Sequence, residues 1–524
     1  MTYAPRAVGV VLAVGLFLAA LFALPFRSAP TARAESTPVL PISVPSVREW
    51  QPGTGRFELP DTVRVVAGAG AGAVAGRFAE DLHRAGHATT VTSGVARPGD
   101  VVLRVDDSGP AQAEAYRIDI AATVTVSART RAGVMHGAQT LLQWFSQRRA
   151  LPGGTVSDRP DYVERGLSLD LGRQFLSVDW IKQRIREMAY YRMNVLHMHL
   201  SDRYGFRLES KSHPEITSPE HYSPANISEI ISYAAEYGID VVPEIGFPSH
   251  MNAILEPHPE LILHPAFTSP VDSVTDSLLA GTAEGRIDLS NPRARPLIED
   301  LLREFVPQFP SHYFHIGGDE YASDYSRYPQ LDAAARTTLG PRFGAPDLIA
   351  DFFNWAGAIV RSYGKTPRMW NDGIPHGGSI SIDTSIIVDH WTAGNGLLPW
   401  VGNDNGPEQL ADQGRTLSNA AFTPTYWATG GYAAPLNAPP ELLYAWDPGL
   451  FVNGTRLRPD QRSQLLGSKL YVWCDDPTAM TEQQMVGPIQ ARLPIMAQQL
   501  WSGTGGVGYD EFTDRVRAVG SPAP

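Results

Sequence analysis

Two acidic side chains stand together at Asp319 and Glu320, directly after the glycine pair Gly317-Gly318. The run Ser311-His312-Tyr313-Phe314-His315-Ile316 leading into them reads as a buried strand that breaks at the glycines. Two like charges held close cannot both ionise freely, so one carboxyl should keep its proton to higher pH. Glu320 is the expected holder, which would suit it to act as a general acid. The pair is too close along the chain to flank one bond from opposite sides, as the usual two-carboxylate glycosidase requires. In a glycosidase built on this pair the nucleophile must come from elsewhere. The structural alternative is an acidic strand end that caps the next helix.

Such a pair needs a scaffold that brings other groups to it. From Arg165 onward, strand, loop and helix alternate, with candidate strands at 166–171, 194–200, 240–245, 312–316, 367–370, 385–390, 416–419 and 469–473. Eight is the number a (β/α)8 barrel needs, and in such a barrel the chemistry sits where the strands end. Those ends carry, in order, Asp170 and Arg173; His197, His199 and Asp202; Glu244 and His250; Asp319 and Glu320; Trp370 and Asp372; Trp391; Tyr426; and Trp473 with Asp475. Amphipathic spacing predicts helices over 178–193 and 349–363, and a last helix near 481–501 followed by a short tail. The long segments 256–290 and 403–448 are expected to wall the site.

The hexapeptide His315-Ile316-Gly317-Gly318-Asp319-Glu320 has company. Arg165-Gly166-Leu167-Ser168-Leu169-Asp170, the block 194–202 around His197-Met198-His199, and the block 242–250 from Val242-Pro243-Glu244 to His250 precede it in order. Together they resemble the family 20 glycoside hydrolases, the β-N-acetylhexosaminidases and lacto-N-biosidases, over nearly all of residues 116–502. The resemblance implies a retaining exo-hydrolase in which the substrate's own 2-acetamido group is the nucleophile and an oxazolinium ion the intermediate. It implies that Glu320 is the general acid, that Asp319 accepts the acetamido N–H, and that Tyr426 donates to the acetamido oxygen. It implies indole walls from Trp370, Trp391 and Trp473, sugar hydroxyls held by Arg165, and support for the acid from Asp202 and His250. Arg165 as an ion-pair partner of Asp170 is the structural alternative. Asp475 stands where many family members carry a longer glutamate that binds the C4 or C6 hydroxyl, so release of a single sugar and of a disaccharide both stay open. The resemblance implies no metal and no organic cofactor. His197 and His199 share one strand face, as a metal pair or as ordered core histidines.

Bulk properties narrow the partners. The 524 residues carry a net charge of -12, so nothing favours nucleic acid or an anionic membrane surface. β-Linked N-acetylhexosamine glycans are the partners the resemblance implies. The one cysteine, Cys474, allows no intramolecular disulfide. Residues 1–35 hold Arg6, an apolar run over 7–26 and the small-residue pattern Ala32-Arg33-Ala34, which read as a secretory signal peptide or an uncleaved N-terminal anchor. Export is expected either way, as a secreted protein or one held at the outer face of the cell membrane. Residues 36–161 read as a small α+β domain with strands near 64–66, 101–105, 116–120 and 123–127 and helices over 73–86 and 133–144. The barrel is expected over 162–524.

Overall fold

The computed structural model describes residues 39–107, 109–267, 285–322, 324–393, 406–431 and 433–523. The expected signal or anchor, the middle of the 256–290 loop and the start of the 403–448 region lie outside these residues. Among the described residues no helix is long and apolar enough to cross a membrane.

The first domain is a seven-stranded mixed sheet. Its order is Glu49–Glu58, Ala150–Asp158, Tyr116–Ile120, Val124–Ala128, Val101–Val105, Thr62–Ala67 and Ala88–Thr92. Helices Gly72–Arg84 and Arg131–Gln147 complete it. The second helix is capped by Thr130, whose side chain accepts from the Gly133 N–H. Its residues 133–145 are all buried, because it packs between the sheet and barrel helix Val178–Tyr190. Gln143 fastens that seam by donating to the Tyr190 carbonyl at 2.6 Å.

Eight parallel strands follow: Glu164–Asp170, Val195–His199, Asp240–Phe247, Tyr313–Gly317, Thr366–Trp370, Ile387–His390, Leu417–Asn419 and Leu465–Trp473. The eighth pairs with both the first and the seventh, so the barrel closes. A short strand, Tyr426–Ala428, pairs with the upper end of the eighth, Tyr426 opposite Tyr471. The first strand is buried along its whole length, as expected where helices cover one face and side chains fill the other. After helix Glu482–Ser502 the chain does not end in a short tail: a further helix, Tyr509–Val519, returns to the first domain's long helix.

The lower barrel interior is ionic. Arg368 bridges Glu164 at 2.6 Å and Asp389 at 2.5 Å, and Lys469 pairs with both acids. Burial opposes the Glu164 charge, yet Arg368 and Lys469 hold its carboxyl far below the usual range. This layer is the floor on which the site stands.

Candidate active site

The fourth barrel strand ends in a turn that only glycine can make. Gly317 has φ +74°, and a Cβ there would lie 2.5 Å from the Phe247 nitrogen. Gly318 follows at φ +117°. Glu320 itself is left-handed at φ 55°, an uncommon conformation for a residue with a side chain. Three groups fix the turn. The Glu320 N–H donates to Asp372 at 2.7 Å, the Glu320 carbonyl accepts from Arg286 at 3.0 Å, and the Asp319 carbonyl accepts from the Ser249 hydroxyl.

His250, also left-handed at φ 56°, lies between the two carboxylates. Its Nε2 is 3.2 Å from Asp319 Oδ2 and 3.3 Å from Glu320 Oε2, and its Nδ1 is 3.4 Å from Asp202 Oδ1. Behind it, His199 sits 3.0 Å from Asp202 and 2.8 Å from Glu244. Glu244 in turn lies 3.0 Å from His197 and 3.2 Å from His315, and accepts the Trp370 indole N–H at 2.7 Å. Acids and imidazoles thus alternate from the barrel axis to the strand end. Burial disfavours the charge on each, but the neighbours win for several. His199 is raised to about 10 by Glu244 and Asp202, and His250 is raised well above the ordinary range by Asp319 and Asp202. Burial, with His315 and Lys469 adding to its effect and Glu244 as the one carboxylate against it, takes His197 down to about 4.

This arrangement corrects the expected order of the two acids. Burial raises Glu320, but the hydrogen bond and charge of His250 outweigh it and hold the carboxyl below its usual value. Asp319 moves the other way: burial, with Glu244 and Glu320 nearby, raises it against the pull of His250. Burial and Asp319 push Asp372 well above its usual value. The surroundings therefore push Glu320 toward the ionised form, and Asp319 and Asp372 toward the protonated one. His250, set between the two carboxylates, outweighs the effect of the Asp319 charge on its neighbour.

Aromatic rings make the wall. Tyr426 stacks on Trp391 at 6.2 Å with an 11° interplanar angle and lies 5.5 Å from Trp473, while Trp370 is 6.2 Å from Trp473. Tyr471, buried beneath them, touches both Trp370 and Tyr426. The Trp391 indole N–H donates to Asp372 at 2.8 Å, so the residue that anchors Glu320 also sets this wall. Tyr426, Trp370, Trp391 and Trp473 are brought together as the sequence suggested.

Arg165 is not with them. It stands at the start of its strand, is 0% exposed, and pairs with Glu114 at 2.8 Å while its guanidinium lies over Trp501. Nor is Asp170 its partner. Strand direction decides this, because the start of a barrel strand lies at the face opposite the site. Arg173, just past the end of the same strand, takes the place. It bridges Asp170 at 2.8 Å and Asp202 at 3.0 Å, reaches within 3.9 Å of Asp475, and lies over the Trp473 ring. Burial, with only partial relief from Arg173, raises Asp475 to about 6. Its Oδ2 and the Trp473 indole nitrogen are buried without hydrogen-bond partners.

Arg173, Glu244 and Asp372 were legible as polar residues at or near strand ends, but their part in the site was not. Nothing in linear spacing tells that Glu244 gathers three histidines and an indole. Arg286, which fixes the Glu320 carbonyl, lay in a segment with no pattern at all.

Barrel, aromatic cleft and carboxylate cluster together define a glycoside hydrolase. The model for the catalytic domain of glycosyl hydrolase family 20 matches residues 162–504, and that for the family's domain 2 matches residues 41–159. The chain belongs to glycosyl hydrolase family 20. It is 28% identical over 470 residues to a lacto-N-biosidase of Bifidobacterium bifidum, covering 88% of this chain and 40% of that protein. It is 29% identical over 441 residues to a β-N-acetylhexosaminidase of Cellulomonas fimi, covering 80% of each. A mutant Streptomyces plicatus β-hexosaminidase in complex with its product GlcNAc superposes with a TM-score of 0.70 at 25% identity, over 91% of this chain and 93% of that one.

Proposed function

We propose that this protein removes terminal β-linked N-acetylglucosamine or N-acetylgalactosamine from the non-reducing end of glycans, with retention, using the substrate's acetamido group as nucleophile. The observation that carries the reading is the adjacent Asp319-Glu320 pair, joined by His250 and faced by the Trp370, Trp391, Tyr426 and Trp473 rings. Adjacent acids cannot serve opposite faces of one sugar, so a nucleophile inside the substrate fits them.

Glu320 protonates the glycosidic oxygen and later takes a proton from water. Because its surroundings favour the ionised form, the proton it donates comes from His250, whose Nε2 lies 3.3 Å from Glu320 Oε2 and which is left neutral by the transfer. Asp319 accepts the acetamido N–H and stabilises the positive oxazolinium ring, and Tyr426 donates to the acetamido oxygen. The indoles hold the acetamido arm in line for attack. Asp475, Arg173 and the free Trp473 N–H meet the sugar hydroxyls.

A second reading has its own support. Asp475 is one methylene shorter than the usual glutamate, and the lacto-N-biosidase relative covers most of this chain. Release of lacto-N-biose would use the same chemistry in a wider pocket. Assay of 4-nitrophenyl N-acetyl-β-glucosaminide beside a lacto-N-biose-terminated glycan separates the two. Loss of turnover in Glu320→Gln and Asp319→Asn with sugar binding kept is expected, and near-normal rates in either would refute the mechanism. Equal cleavage of plain β-glucosides would refute the acetamido nucleophile. We also propose export of the chain, which fractionation of the producing cell tests: enzyme confined to the cytoplasm would overturn it.

A further inference from the structure

Two turns that follow different barrel strands bring His213, Glu215 and His258 together. His213 and Glu215 flank the start of the turn Pro214–Ile216 after the second strand, and His258 precedes the turn Pro259–Leu261 after the third. His213 Nδ1 lies 3.0 Å and His258 Nε2 3.1 Å from the same oxygen, Glu215 Oε1, and the three donor atoms all lie within 4.8 Å of one another. The other ring nitrogen of His213 is 3.3 Å from Asp300 Oδ2 on helix Ala294–Phe305. Both nitrogens of His213 therefore face carboxylate oxygens.

We propose that His213 Nδ1, His258 Nε2 and the Glu215 carboxylate bind a divalent transition-metal ion of the zinc class, with water in the fourth position. Two imidazoles and a carboxylate are the donors such an ion takes. Around a tetrahedral ion with bonds of about 2.0–2.1 Å the donors stand roughly 3.3 Å apart. The 3.0 and 3.1 Å spacings need to widen by only a few tenths of an ångström. Asp300 supplies the carboxylate that commonly sits behind a ligating histidine, fixing its tautomer and orientation. The side chains are partly exposed, 19% for His213, 18% for His258 and 39% for Glu215, so an ion can enter and keep a water. The ion would tie the loop that carries Asp202 to the loop that carries His250. It would be a clip between two loops, separate from the chemistry at Glu320.

The test uses the untagged full chain stripped with EDTA. Calorimetric titration with Zn2+ should give one ion per chain, and Co2+ should give the visible absorption of a low-coordinate nitrogen–oxygen site. His213→Ala and His258→Ala should each abolish both signals. Asp300→Asn should keep the stoichiometry and weaken binding roughly 10- to 100-fold. Zn2+ should raise the melting temperature of the wild type and leave that of His213→Ala unchanged. Absence of binding to the stripped wild type overturns the proposal. So does one-to-one binding that survives the His213→Ala, His258→Ala double variant, which would put the ion on the buried barrel histidines instead.

Discussion

Replacing His250 with alanine removes the cation that Asp319 and Glu320 share. The imidazole makes contacts at 3.2 and 3.3 Å with these acids and one at 3.4 Å with Asp202. Hydrogen bonds to charged groups contribute about 1.5–3 kcal/mol each, and distances this long place these near the lower end. Two such contacts to the reacting pair come to about 3 kcal/mol, or roughly a hundred-fold in kcat/KM at 1.36 kcal/mol per factor of ten. The pH dependence carries a sign as well. His250 holds Glu320 low; without it, burial is opposed only by the charges of Arg173 and Arg286, and the carboxyl moves up. A general acid works while protonated, so the alkaline limb of kcat/KM should move to higher pH as its maximum falls. The assay is kcat/KM against pH for an N-acetylglucosaminide with a poor leaving group, where acid assistance matters most. A variant within three-fold of wild type, with its alkaline limb in place, would refute the reasoning.

Three further outcomes follow from the geometry. Arg173→Met should lower kcat/KM roughly 10- to 100-fold through lost charged contacts, whereas Arg165→Met should lower the melting temperature and leave KM unchanged; the reverse would restore Arg165 to the site. Because Asp475 ionises at about 6 and a carboxylate accepts hydroxyl donors better than a neutral acid, product binding should strengthen as pH rises through that value. Asp475→Asn should flatten the profile, and a titration curve unchanged by the substitution would contradict the role. Arg368→Met takes from Glu164 and Asp389 their bridging guanidinium and should cost about 3–5 kcal/mol in urea unfolding, a prediction that an unchanged midpoint would sink.

How much was legible depends on what each segment had to satisfy. The eight barrel strands are short, almost wholly buried segments in regular alternation with helices, so each stood out, and most boundaries fell within two residues of the observed ones. In the first domain the strands Glu49–Glu58 and Ala150–Asp158 did not stand out. They carry Pro52-Gly53 and Pro152-Gly153-Gly154, which read as turns. In the structure those glycines let the paired backbones approach: a Cβ on Gly153 would meet the Thr54 carbonyl oxygen at 2.2 Å. Helix Tyr509–Val519 was missed because it is short, largely exposed and follows the glycine-rich 503–508.

Family, barrel and acidic pair were set by the chain's local chemistry: residue types in fixed order, an apolar rhythm, and glycines where the backbone must turn. Protonation and partnership were not, because they depend on distances between residues far apart in sequence. His250 reaches Glu320 from the next strand over, and that contact holds a buried carboxyl below its usual value where burial would raise it. Arg165 and Arg173 are eight residues apart on one strand and its end, yet they stand at opposite faces of the barrel. Only the direction of the folded strand decides which of them can meet a sugar.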